Sequence, residues 1–355
     1  MAATDLADVF IGQPFFDYVQ LMSTELTAMW NSGIVRTSPE MSRNLAGAGR
    51  VFETPHWNDL ADTLANISSD DPTEDSTPEA VTSFETLAIR HKRNQSWASM
   101  DIIPSIINDD PMRVVGNRLA AYWSRQFTRL LVSCLKGIDA DQDTDESDDM
   151  QHLDYADVVS PTASNIFNVN GFLAALQTLG DVSDQLTSIM VHSATFRVMQ
   201  QLDLIQYSTE TFGTPATDRI VSTDGVSPRP SQTTLEIRRF LGHRVIVDDS
   251  MWFNAGTNSP EYVSVIFGEG AFGYGEVLPK TPFEFERKPS TGNGEGQDLF
   301  YSRREFALHP AGYDNIYTFP ADGKSPSNAA LEASTAWARK YSRRHIPIAF
   351  YKHNI

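Results

Sequence analysis

The sequence has a single cysteine, Cys134, so no intrachain disulfide can form. One thiol also excludes a zinc site built from several thiolates, and it suits synthesis in a reducing compartment. No apolar run approaches the roughly 20 residues that a membrane helix requires. The opening stretch MAATDLADVF has neither a basic segment nor an apolar one, so it does not read as a secretory signal. Basic residues are scarce: 28 Lys and Arg stand against 46 Asp and Glu, a formal charge of −18. A protein that grips DNA needs a basic face to neutralise phosphates. This chain repels DNA over most of its surface, and any contact with a nucleic acid is that of a wall and not of a clamp.

Catalytic signatures are missing as well. The eight histidines are scattered, with no H-x-x-x-H pair and no Cys/His cluster. No G-x-S-x-G elbow is present, and no internal repeat. Gly268, Gly270 and Gly273 spell G-x-G-x-x-G after a candidate strand. A dinucleotide site would need a helix next, to bring its N-terminus to the pyrophosphate. The sequel Tyr274 to Pro279, then Pro282, reads as more strand, so bends in a sheet-rich region are the expectation. Gly323-Lys324-Ser325 resembles the end of a phosphate loop, but the upstream glycine is replaced by Thr318. Ser325 as N-cap and Pro326 in a first turn explain those residues without a nucleotide. The run Asp139, Asp141, Asp143, Asp145 echoes a calcium loop, yet Thr144 and Met150 occupy the positions of its turn glycine and bidentate glutamate. A solvated acidic linker is the plainer reading. No enzyme, cofactor or metal site is expected.

What is present is a folding chain. With 355 residues and 41% hydrophobic content, it can bury the cores of two or three subdomains. Phe15, Val19, Met22, Leu26 and Trp30 recur at helical spacing between Pro14 and Gly33. From Ala61 to Ser83 there is no Lys or Arg, while Asp62, Asp70, Asp71, Glu74, Asp75 and Glu79 accumulate. Val51 to Leu60 precedes this stretch, and a strand pattern from Phe84 to Trp97 follows it. The spacing predicts a two-stranded ribbon with a long acidic tip. Such a ribbon is marginal alone in water, and a structureless loop of roughly 20 residues is unusual inside a compact domain. Both difficulties vanish if the ribbon lies on a sister molecule.

Asp110 as N-cap and Pro111 in the first turn open the clearest helix. Its apolar stripe runs through Val115, Leu119, Tyr122, Trp123, Phe127, Leu130, Leu131 and Cys134, with Arg113, Arg118, Arg125 and Arg129 mostly opposite. Gly137 is expected to end it, giving a rod about 40 Å long. An acidic linker is expected from Asp139 to Asp149, then helices over Asn170–Leu179 and Ser183–Tyr207, then a loop over Thr209–Pro230. Strands are expected at Leu235–Phe240, Arg244–Val247, Tyr262–Phe267, Phe283–Arg287 and Leu299–Leu308. A helix from Ser325 to about Arg344 and a strand at Ile346–Tyr351 complete the pattern.

Several stretches carry a resemblance. They are Arg50-Val51-Phe52-Glu53-Thr54-Pro55-His56-Trp57, then Arg93-Asn94-Gln95-Ser96-Trp97-Ala98-Ser99-Met100-Asp101, and Asp109-Asp110-Pro111-Met112. Phe267 to Gly273 and Arg303-Arg304-Glu305-Phe306-Ala307-Leu308-His309-Pro310 continue the series. Together and in this order the chain resembles the major capsid proteins of tailed bacteriophages, over nearly its whole length. The resemblance implies the α+β Hong Kong 97-like (Johnson) fold. An N-terminal arm would span 1–50 and an extended β-hairpin loop 51–98. A peripheral domain would span 99–165 and 277–323, with a spine helix at about 110–136. An axial domain would span 166–276 and 324–355. It further implies hexamers and pentamers of an icosahedral virion shell, assembled in the bacterial cytoplasm around double-stranded DNA that is touched weakly and without sequence specificity. The chain itself, a separate scaffolding protein, a portal and a decoration protein are the implied partners, and a membrane is not. The alternatives are an encapsulin-like nanocompartment shell and another virion structural protein.

The residues expected at contacts between subunits follow from charge and position. Asp70, Asp71 and Asp75 on the acidic tip would face Arg90, Lys92 and Arg93, or Arg303 and Arg304, or Arg343 and Arg344 of a neighbour. Phe52, Trp57 and Trp97 are the aromatic candidates.

Overall fold

In the computed structural model, residues 32–57, 60, 63–73, 75–107, 111–141, 151–202, 205–212 and 233–355 are described. The helix expected around Phe15 to Trp30, the Asp110 cap, most of the acidic linker and all of the expected loop Thr209–Pro230 except Thr209–Phe212 lie outside them, and those four residues are strand and not loop. In chain order the elements are β1 (Val35–Thr37), α1 (Pro39–Ala46), β2 (Val51–Trp57), β3 (Ser83–Ile89), β4 (His91–Met100) and α2 (Ile102–Ile107). Next come α3 (Pro111–Asp141), β5 (Gln151–Asp154), α4 (Val169–Gln177), β6 (Ser188–Val191), α5 (Ser193–Gln201) and β7 (Ile205–Phe212). They are followed by β8 (Thr233–Phe240), β9 (His243–Val247), β10 (Phe253–Asn254), β11 (Glu261–Phe267), β12 (Phe272–Val277) and β13 (Phe283–Lys288). The chain closes with β14 (Gln297–Pro310), β15 (Tyr313–Asn315), α6 (Asn328–Leu331), β16 (Trp337–Arg339) and β17 (Ile348–His353). The described residues fall into two compact units, one drawn from 37–116 and 272–342, the other from 32–36, 117–271 and 343–355.

The first unit is organised on β14, whose 14 residues are all buried or half-buried. On one edge β12 pairs with Glu305–Pro310 and β13 with Gln297–Ser302. On the other, β4 pairs with β14 from Met100↔Gln297 to His91↔Phe306. Helix α1, capped by Ser38 and opened by Pro39, lays Met41 and Leu45 on Ala88, Ala307, Phe52 and Val277. The glycine series is explained here. Gly273 lies in a strand and not a helix, and a Cβ on it would lie 2.6 Å from the Met41 sulfur.

The second unit holds a mixed sheet in the order β5-β17-β11-β6-β9-β8-β7. Pairs β5–β17 and β6–β9 are parallel, and the rest of this path is antiparallel. Every residue of β17 is buried. Phe167, Phe172, Ala175, Leu179, Met199, Phe240 and Tyr351 form the core between this sheet and helices α4 and α5.

Three sequence expectations are corrected. Gly137 does not end the long helix, which runs on to Asp141 and reaches about 46 Å at 1.5 Å per residue. Ile138 is fully buried, and Asp139 is ion-paired with Lys352 at 3.6 Å. Those two anchors outweigh the roughly 1 kcal/mol that a helical glycine costs. The single helix expected over Ser183–Tyr207 is instead a 3-10 turn at Gly180–Gln185, strand β6, helix α5 and strand β7. Ile189, Met190 and Val191 are all buried in a central strand, where both faces are covered and alternation disappears. The helix expected from Ser325 to Arg344 shrinks to α6, 3-10 turns at Ser334–Ala336 and Arg343–His345, and strand β16. Trp337 is buried with its indole N–H donated to the Leu331 carbonyl at 2.8 Å, and its backbone pairs with Asn315. Ser327, not Ser325, caps α6.

The Asp139–Lys352 pair gives a first prediction. Both side chains are nearly inaccessible, and removing one partner of a buried ion pair leaves the other charge poorly compensated. Lys352→Ala is expected to cost about 3 kcal/mol of stability, read by denaturant unfolding of the purified chain. A change of less than about 1 kcal/mol would mean that solvent screens the pair.

Candidate assembly interface

The expected ribbon is present, in a single register from Val51↔Ile89 to Trp57↔Ser83. Its second strand is shorter than expected: the pattern over Phe84–Trp97 breaks at Arg90 into β3, which pairs with β2, and β4, which pairs with β14. Burial rises along β3 towards this break. Ser83 and Glu85 are exposed, whereas Thr86, Ala88 and Ile89 are buried. The Leu87 N–H donates to the Asp314 carboxylate at 2.9 Å, and Phe84 meets Tyr341 edge to face at 5.1 Å. The base of the ribbon therefore rests on its own unit.

Beyond the base no described residue covers it. Every described residue from 60 to 83 is exposed. Trp57 is 76% exposed, Leu64 98% and Ile67 95%, and Leu60 and Val81 are open too. Such a run of bare aliphatic side chains is uncommon on a monomeric surface. The Asn66 amide donates to the Thr77 carbonyl at 3.3 Å, tying the two limbs of the tip. Leu60, Leu64, Ala65, Ala80 and Val81 line a groove of about 250 Å³ between them. Glu79 is the carboxylate among the groove's lining residues, and other carboxylates lie further along the tip. Asp71 accepts from both the hydroxyl and the N–H of Thr73, at 2.7 and 2.9 Å, which holds its carboxyl below the usual range. Asp70 and Asp75 are exposed.

A second uncovered apolar surface lies on the β14 sheet. Phe283 and Phe285 of the edge strand β13 stack against Phe300 with centroids at 6.0 and 4.8 Å, and Trp97 stacks on the same ring at 5.9 Å. Phe300 is buried by this packing, whereas Phe285 stays 74% exposed and Leu278 is also open.

The expected basic partners behave differently from one another. Lys92 binds Glu305 at 2.6 Å, and Arg90 approaches the same carboxylate at 3.6 Å. Arg93 donates to the Pro326 carbonyl at 2.7 Å and to Asn328 at 3.2 Å. Arg303 pairs with Glu284 and Arg304 with Glu276, each at 2.7 Å. These five cations have partners within the chain, and the structure brings none of them to the acidic tip. Arg343 and Arg344 are exposed. Phe52 is half-buried under α1, Trp97 is half-buried against Phe300, and Trp57 stands in the open. Leu64, Ile67, Phe283 and Phe285 were not singled out in the sequence. The missing basic residues around the first pair were the available signal. For the second pair there was none, because an edge strand and a central strand share one alternation.

Among the described residues no group of His, Cys, Asp and Glu could hold a metal ion. Cys134 is fully buried on α3. Gly323 has a positive φ and lies against the Arg50 guanidinium, and the Ser325 hydroxyl accepts from the Lys92 N–H at 2.9 Å.

Comparison with known proteins agrees with this picture. No protein-family model matches the sequence. Solved structures from Mycobacterium phage Adephagia and Mycobacterium phage Cain share the fold, with TM-scores of 0.51 and 0.50 at 9% and 10% identity. Each alignment covers 98% of this chain and 97% of the other. These likenesses show an α+β fold shared with phage proteins, and among the described residues it carries two uncovered apolar surfaces. A curated relative, the major capsid protein of Bacillus phage SPP1, is 31% identical over 358 residues, covering 100% of this chain and 99% of the relative. The chain belongs to the phage major capsid protein family.

Proposed function

We propose that this chain is the head subunit of a tailed double-stranded DNA phage and builds hexamers and pentamers of an icosahedral shell. The observation that carries the reading is the uncovered ribbon tip, whose apolar side chains have no cover in their own unit. The fold is Hong Kong 97-like. Its ribbon is the extended loop, its long helix α3 the spine of the peripheral domain, and its β17-centred sheet the body of the axial domain. The subunit has no catalytic role. It assembles in the bacterial cytoplasm with a separate scaffolding protein and a portal, and a decoration protein can join later. Full-length similarity to a capsid protein favours this reading over a nanocompartment shell.

The ribbon tip of one copy docks on the next, and its carboxylates face the exposed side chains of Arg343 and Arg344. Neutralising Asp70, Asp71 and Asp75 to asparagine is expected to weaken assembly several-fold at low salt and less at 1 M, where the screening length falls to about 3 Å. Light scattering of assembly reactions reads this, and unchanged assembly at low salt removes the pairing. The charge of −18 also suits a lumen from which DNA must leave. The free subunit is expected to bind duplex DNA weakly and only at low salt, and micromolar binding at physiological salt would contradict that role. The proposal as a whole is tested by expressing the chain with its scaffold and imaging the product. Closed shells of uniform size support it, and a stable monomer under all conditions rejects it.

A further inference from the structure

At the ribbon's root the chain passes from one sheet to another across a single residue. Strand β3 ends at Ile89 and β4 begins at His91, and the chain changes its pairing partner from β2 to β14 across Arg90. One terminal nitrogen of the Arg90 guanidinium donates to the carbonyls of both Leu45 and Gly47 at 2.5 Å. The other lies 3.6 Å from Glu305 of β14, which Lys92 also holds. The backbone of Arg90 is held on both sides as well. Its N–H donates to the Arg50 carbonyl at 2.9 Å, and its carbonyl accepts from the Ser325 hydroxyl at 3.4 Å. Leu45 and Gly47 belong to the last turn and cap of α1, where carbonyls lack helical partners and carry partial negative charge. Helix α1, the foot of β2, strand β14 and the Ser325 segment thus converge on this residue. A planar guanidinium fork can serve two carbonyls and a carboxylate at once, and a lysine ammonium cannot do so in the same geometry.

We propose that Arg90 is a positioning residue for assembly, pinning the ribbon at the angle from which its tip meets a second copy. This rests on the reading that the tip docks on a sister molecule. The lever is long: seven residues of strand span about 23 Å, so a swing of about 10° at the root moves the far end by about 4 Å. A displacement of that size separates packed side chains completely. Arg90 therefore serves the interface from inside its own chain, and not as a charge presented to a neighbour.

The test compares full-length Arg90→Ala, Arg90→Lys and Glu305→Gln with a chain in which residues 60–81 are replaced by a short Gly-Ser turn. Amide hydrogen exchange over β3 in the free subunit, melting temperature and yield of closed particles are measured together. For Arg90→Ala the expectation is at least tenfold faster exchange over β3, melting within a few degrees of the parent, and at least tenfold fewer closed particles. Arg90→Lys recovers part of both effects, and Glu305→Gln shows them more weakly. If Arg90→Ala does not fold, Glu305→Gln carries the test with the same two readouts. Parental exchange over β3, or parental particle yield, in a folded variant overturns the proposal. If the loop-replaced chain assembles normally, the docking reading itself fails, whereas the exchange measurement still reports on the pin.

Discussion

A chain carrying Leu64→Asp and Ile67→Asp is expected to fold and melt like its parent while losing assembly by 100-fold or more. The two side chains are almost completely exposed, so their replacement removes no contact from the folded subunit. Surface changes of this kind usually alter stability by less than about 0.5 kcal/mol. If the tip docks as proposed, the same side chains are covered by a second copy, and each aliphatic burial contributes about 2 kcal/mol. Losing both and burying carboxylates in their place costs at least about 3 kcal/mol per contact, a factor of about 100 in association. Because each subunit gives and receives such a contact, the loss multiplies around a ring. Sedimentation of assembly mixtures reads the result, with the melting temperature as control. Parental assembly by this variant would place the tip in solvent in the finished particle.

The second large effect is expected from acid. His91 and His353 are buried, and their imidazoles are held well below the usual histidine range, to about 3 and about 4. For His91 the main cause is burial, followed by the charges of Arg93 and His309. Both ring nitrogens of His91 lack hydrogen-bond partners among the described residues, and the ring stacks on Phe306 at 5.5 Å. For His353 burial dominates, offset in part by the hydrogen bond to the Asn354 carbonyl at 3.0 Å. A carbonyl can only accept, so Nδ1 carries the proton, and Nε2 accepts from the Ser264 hydroxyl at 2.9 Å.

The sign follows from linkage. Below pH 6.5 the unfolded chain takes up protons that the folded chain refuses. Stability is therefore complete above about 6.5, and it is lost as pH falls towards the folded values of about 4 and about 3. At pH 5 each histidine accounts for a loss of about 2 kcal/mol. His91→Phe keeps the stacked ring, leaves no polar atom unpaired and removes one titration. It is expected to roughly halve the loss between pH 7 and 5, a window above most carboxylate titrations. An unchanged slope in denaturant unfolding would show that His91 is hydrated and titrates normally.

How far the sequence revealed these features depended on the range of the interactions involved. The ribbon was legible because its signals are local: a run without Lys or Arg between two strand patterns. Strands β11, β13 and β14 were legible from alternation and apolar runs, and α3 from its long stripe. What the sequence hid was set by distant partners. Gly137 reads as a stop until Lys352 of β17 is seen to hold Asp139. Ile189, Met190 and Val191 suit a helix face or a central strand equally well, and only pairing with β9 and β11 decides between them. The segment after Ser325 has good helix formers, but Trp337 draws it into pairing with β15. The same rule governs the interface. Arg90 and Lys92 looked available to a neighbour because Glu305, more than 200 positions away, gives no local sign that it receives them.

Side-chain footprinting of Trp57, Leu64 and Ile67 by hydroxyl radicals, in the free subunit and in the assembled particle, tests the central claim most directly. Strong labelling of all three in the subunit and at least fivefold protection of Leu64 and Ile67 in the particle is the expected result. Equal labelling in both states would mean that no sister molecule covers the ribbon tip, and the account of assembly built on it would be wrong.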